Sequence, residues 1–146
     1  MRGNINYFFE EIRVFRYGLP RKGWIETCLS KEGRKVGVIN FIFCSDKYLQ
    51  SINRKYLGKS YLTDVISFNT APPNLIKSSR NYLVFGDIFI SVTRVKENKK
   101  LYKTIFVKEL KRVMAHGVLH LIGFNDKTQK ERGVMAEKEN MYIELG

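Results

Sequence analysis

At 146 residues, 44% hydrophobic and 27% charged, the chain has the composition of one globular unit, which excludes a fibre, a disordered tail and a pair of full domains. Lys and Arg number 26 against 14 Asp and Glu, a formal charge of +12, and the excess lies in the body: 22 to 10 from Met1 to Asp126, then 4 to 4. Charge this far from neutral costs self-repulsion and favours a polyanionic partner, with nucleic acid ahead of a membrane surface.

The opening run MRGNINYFFEEIRVF places Glu10 and Glu11 where a secretory leader needs an apolar stretch, so a cytoplasmic protein is expected. Leu19 to Ser30 reads as a helix. Lys35 to Ser45 (KVGVINFIFCS) is rich in Val, Ile and Phe and reads as a strand, far short of the ~20 apolar residues of a membrane span. Ser45 and Asp46 offer an N-cap for a helix through Asn53 or Tyr56 that Gly58 stops. Asp64 to Phe68 and Tyr82 to Ser91 alternate as neighbouring strands, joined by a surface loop from Asn69 to Asn81 that Pro72, Pro73, Ser78 and Ser79 keep irregular. Val92 to Tyr102 is expected to be a helix with one charged face. In the C-terminal third, Phe106, Leu110, Val113, Met114, Gly117, Val118 and Leu121 recur at three and four, predicting a helix from about Thr104 to Ile122 that Gly123 ends. Thr128 and Glu131 form a capping-box pattern for a last helix from Gln129 to Ile143. Cys28 and Cys44, far apart, read as small buried hydrophobes. The expected architecture is α+β: a single domain over 1–146, a small mixed sheet of about four strands, and about five helices.

The chain's two histidines, His116 and His120, stand four apart on the most clearly periodic helix, the step that brings two side chains to one face. Both flank the apolar stripe, and a helix offering imidazoles on consecutive turns commonly begins a zinc site. A third ligand is expected from Asp126, because Gly123 lets the chain leave the helix and fold back; the competing role for Asp126 is to open the turn before Thr128. The spacing superficially matches a metalloprotease helix, but Gly117 stands where that chemistry needs a Glu, so a metallopeptidase is disfavoured.

HGVLHLIGFND, from His116 to Asp126, resembles the HGxLHLxGYDH signature of the YbeY family of bacterial metal-dependent endoribonucleases and rRNA maturation factors. NRKYLGKSYLTDVISF, Asn53 to Phe68, is similar to the family's NRxYRxKDxPTDVLSFP, and GDIFIS, Gly86 to Ser91, matches GDIxIS. The resemblance implies that His116 and His120 are metal ligands and that Arg54 is the arginine used in RNA cleavage, where a guanidinium clamps phosphate and stabilises developing charge. The family's third histidine is replaced here by Asp126, its Tyr-Asp by Phe124 and Asn125, and its flanking prolines by Leu62 and Asn69. Thr63 and Asp64 are expected to brace the turn before a strand, and Asp87, a carboxylate inside an alternating strand, to be paired or to support the ligands.

The expected function is a metal-dependent, single-strand-specific endoribonuclease of rRNA processing and ribosome maturation. Its partners would be rRNA and small-subunit components, with one zinc or another divalent transition metal, no organic cofactor and no membrane. Either water or a ribose 2′-hydroxyl would be the nucleophile. The rival is a ribosome assembly factor that binds RNA and holds its metal structurally.

Overall fold

The computed structural model describes residues 3–75 and 78–145. Among them are strands Asn4–Glu10 (β1), Lys35–Cys44 (β2), Val65–Asn69 (β3) and Leu83–Ser91 (β4), and helices Lys22–Lys31 (α1), Asp46–Leu57 (α2), Val92–Leu101 (α3), Phe106–Leu121 (α4) and Gln129–Ile143 (α5). The strands form one mixed sheet in the order β1-β2-β4-β3. β2 pairs parallel with β1 and β4, while β3 runs antiparallel along the edge of β4. The α+β architecture expected from the sequence is the one observed.

Alternate residues of a strand face opposite sides of the sheet. Ile39, Phe41 and Phe43 of β2 and Val84, Ile88 and Ile90 of β4 meet Trp24, Ile25 and Leu29 of α1 and Leu110, Met114 and Val118 of α4 in the main core. Each such side chain, fully buried, contributes about 1.5–3 kcal/mol. The opposite face is covered by α2, whose Leu49 and Ile52 pack with Ile66 and Phe89.

β1 is a strand the sequence reading passes over. Ile5, Tyr7 and Phe9 point into or pack on the core while Asn4, Asn6 and Phe8 line the other face, a β alternation within a segment whose charged Glu10 and Glu11 interrupt the apolar stretch a leader needs. α1 begins at Lys22 rather than Leu19, because Pro20 disfavours helical backbone in the residue before it and Arg21 is the extended N-cap. The Asn69–Asn81 loop contains one 3₁₀ turn at Pro73–Leu75 and, at 76 and 77, lies outside the described residues. Ser45 caps α2, and the Thr128–Glu131 capping box starts α5 where the sequence placed it.

Candidate metal centre

α4 is held against the sheet by its smallest residue. A Cβ on Gly117 would lie 2.7 Å from Ile88 Cγ2 and 3.0 Å from Val65 Cγ2. In this close approach Ser67 Oγ of β3 donates to the Gly117 carbonyl at 2.8 Å. The residue that weakens the protease reading therefore has a packing reason of its own. It also sits between the two histidines, so their flank of α4 is fixed relative to the sheet.

At the end of the helix Gly123 takes φ 104°, a conformation that disfavours any side chain. Its N–H bonds to the His120 carbonyl at 3.1 Å and the Phe124 N–H to the Leu119 carbonyl at 3.0 Å. The chain thus reverses over the last turn of α4. From the far side, Arg132 Nη1 donates to the carbonyls of Lys127 at 2.8 Å and Asp126 at 3.4 Å. The loop tied in this way carries Asp126 back to the imidazoles.

His116 Nε2 and His120 Nε2 are 3.0 Å apart, and each lies 3.2 Å from Asp126 Oδ2. Among the described residues these three make up the group that could hold a metal ion. Ligands at bonds of ~2.0–2.1 Å around a tetrahedral metal stand about 3.3 Å from one another. The triangle is that of three tetrahedral corners, slightly contracted, so the donor set fits a divalent metal with a fourth position open to solvent. All three side chains are partly exposed.

Behind His116 lies a carboxylate that the sequence reading missed. Glu139 Oε2 accepts the His116 Nδ1–H at 2.6 Å and is 5% exposed. With that proton held on Nδ1, the lone pair of the neutral ring sits on Nε2, facing His120 and Asp126. Arg112 Nη1 approaches Glu139 at 3.5 Å and its Nε bonds the buried Glu109 at 3.1 Å. The signal was present in the sequence: on α5, Glu139 occupies a buried register with Met135 and Tyr142, where an apolar residue belongs.

Burial pulls the His116 proton affinity down, but the Glu139 hydrogen bond and the charges of Glu139, Asp64 and Asp126 outweigh it and raise the pKa above the ordinary histidine value. Burial also raises Glu109, against the opposing charge and hydrogen bond of Arg112.

The remaining sequence candidates are more scattered. Asp64 opens β3, accepting the Asn98 amide at 3.1 Å through its side chain and the Ser91 N–H at 2.9 Å through its carbonyl. Thr63 is half-buried in the preceding turn. Asp87 is paired, accepting from Asn40 Nδ2 at 2.9 Å, but on the sheet face opposite Gly86 and Ile88 and therefore opposite α4. Arg54 is exposed in the last turn of α2, across edge strand β3 from the imidazoles, and takes part in none of the hydrogen bonds of their cluster. The structure brings together His116, His120 and Asp126, while Arg54 and Asp87 take part in none of the hydrogen bonds or ion pairs of that cluster.

Residues 10–145 match the family described as endoribonuclease YbeY. Proteins named endoribonuclease YbeY from Christiangramia forsetii and Karelsulcia muelleri are 42% and 43% identical, over 99% and 95% of this chain and 95% and 93% of their own lengths. A Thermotoga maritima protein of known solution structure superposes with a TM-score of 0.59 at 29% identity, covering 96% of this chain and 87% of its own.

Proposed function

The chain belongs to the YbeY family of endoribonucleases, and on that premise we propose that it cuts single-stranded RNA with the help of one divalent metal, during ribosomal RNA maturation in the cytoplasm. The observation that carries the metal dependence is the convergence of two imidazole nitrogens and one carboxylate oxygen on a triangle of tetrahedral size. Zinc is the ion we assign, because two nitrogens and one oxygen with an open fourth position is the donor set of hydrolytic zinc sites.

His116 and His120 are the neutral ligands and Asp126 the charged one, while Glu139 keeps the His116 proton away from the metal side. A divalent metal, when bound, supplies Lewis acidity and lowers the pKa of water towards ~7. No carboxylate follows His116 to serve as a base, and with an activated water none is required. Arg54, in its exposed position at the edge of the sheet, is assigned to the phosphate of the bent or extended substrate strand, where its planar fork meets charge that grows as phosphorus is attacked. The +12 charge draws the polyanion in. No helix among the described residues is long and apolar enough to cross a membrane.

The test is cleavage of a single-stranded rRNA fragment by metal-loaded protein. Cutting should stop on chelation, return on adding metal, and be absent in His116→Ala. A chelated protein or a His116→Ala variant that cuts at the parent rate would overturn the metal-dependent reading. Equal turnover of unrelated RNA of the same length would overturn the ribosomal assignment.

A further inference from the structure

At the opposite end of α4 from the imidazoles, a groove of ≈ 780 Å³ opens between residues 12–17 and α3. The chain enters it at Glu11, which takes φ 57°, a left-handed conformation that is uncommon in a residue other than glycine. The floor is aromatic: Phe15 meets Phe106 edge to face at 6.0 Å and is itself anchored on Phe9 at 5.3 Å and Phe43 at 5.6 Å. The walls are basic. Arg13 stands on one side, and Lys96, Lys99 and Lys100, spaced three and four along α3, stand on the other.

Glu97 is the one acidic lining residue, and it is matched by Lys100 at 3.8 Å. Among the described residues, Arg13, Lys96 and Lys99 form no ion pair. The favourable field at a helix C-terminus accounts for cations in the last turn of α3, Lys99 and Lys100. It does not account for Lys96 in mid-helix or for Arg13 on another segment. Tyr17, also lining the groove, is 79% exposed, leaving a ring available for stacking.

We propose that this groove is a second contact for the RNA, holding single strand that flanks the cut, with phosphates on Arg13, Lys96 and Lys99 and a base on the Tyr17 ring. The proposal takes its partner's chemistry from the endoribonuclease reading, but the groove is separate from the metal centre. A concave basic channel with an exposed aromatic is the form that tracks a single-stranded backbone. His116 and His120 lie ten and fourteen residues beyond Phe106, about 15–21 Å along the helix axis. The flanking strand would therefore be gripped roughly four to six stacked nucleotides from the cut, at ~3.4 Å each.

Binding is read by fluorescence anisotropy on a labelled single-stranded oligothymidylate of about 16 nucleotides, a DNA probe the enzyme does not consume. The triple variant Arg13→Gln, Lys96→Gln, Lys99→Gln should bind at least about tenfold more weakly and lose about 2 from the log–log salt slope, at ~0.7 per phosphate contact. Tyr17→Ala should weaken binding by about fivefold or more, from ~1–3 kcal/mol per stacked base. Metal content should stay at the parent level in both. Parent-like affinity and slope in the triple variant would overturn the proposal. So would an equal loss in the control triple Lys31→Gln, Lys35→Gln, Lys130→Gln, which removes the same charge from exposed positions elsewhere, or a loss confined to binding of phosphatidylglycerol vesicles. A parent that grips the oligonucleotide through the groove yet cuts no RNA would overturn the nuclease reading and leave the groove standing.

Discussion

Glu139 shows how a single carboxylate sets the state of a metal ligand from the side the metal never touches. Its 2.6 Å bond to His116 Nδ1 fixes the tautomer and the ring orientation together. Glu139→Gln should keep the fold and lower metal affinity by about 10–100-fold, read by competition with a chromogenic chelator; unchanged affinity would mean that the bond does no orienting. The same contact gives the protein a pH signature. The folded pKa of His116 lies above its ordinary value, so in metal-free protein the stability it contributes is full below about pH 6.5 and is lost as pH rises through the raised value. Metal binding needs the neutral imidazole, so the loaded protein should trend the other way and be stabilised as pH rises. Thermal midpoints of chelated and loaded protein measured between about pH 6 and 8 should therefore diverge, and His116→Ala should abolish the divergence; parallel trends would contradict the assignment. Arg54 stands apart from this network. If it meets charge that appears only in the transition state, Arg54→Ala should cut the saturated cleavage rate by roughly a hundredfold with metal content intact, and Lys should rescue only in part because it lacks the bidentate fork. A rate held at the parent level with a raised Kd would make Arg54 an anchor instead.

α4 carries two jobs on two of its faces, and Gly117 is where they meet. The helix approaches β3 and β4 so closely that Gly117→Ala would drive a methyl into Ile88 and Val65, which are backed by the core and cannot swing away. We expect a loss of about 1–3 kcal/mol by denaturant unfolding and weaker metal binding, because the imidazoles move with the helix. An unchanged midpoint would show that β3 gives way instead, as an edge strand can. The Thr128 capping box made the start of α5 legible to the residue, and periodicity together with Gly123 placed α4 to within a residue or two of its observed ends. The His-His-Asp cluster was legible too, because its members lie within one helix and the turn that follows it. What depended on distant segments was not. β1 gains its meaning by pairing parallel with β2, more than thirty residues away, and Glu139 looks like any helical glutamate until α5 docks and buries it. From the sequence Asp87 reads as a carboxylate that is either paired or supports the ligands, and only the inward turn of Gly86 and Ile88 against α4 leaves it the first role, on the other face.

Across the whole molecule, the candidate site is a junction of elements rather than a property of one. Two ligands come from α4, the third from the loop that α5 ties down through Arg132, and the support for His116 comes from α5 through Glu139. The near-neutral charge of the last twenty residues agrees with this division: the C-terminal helix backs the site, and the basic excess stays on the body, where a polyanion would lie. A metal bound here links α4 to the loop and reinforces the packing of α5 behind it, and these share one core with α1 and the sheet. Binding to the folded chain alone stabilises it by RT ln(1 + [L]/Kd), about 2.7 kcal/mol at a hundredfold excess over Kd. For a chain of this size that corresponds to a rise of roughly 5–11 °C in Tm. Because the ligands and the core are continuous, we expect calorimetry to show one transition that moves as a unit on loading, the behaviour of a single domain over 1–146. Two transitions, with only one responding to metal, would instead divide the site from the sheet.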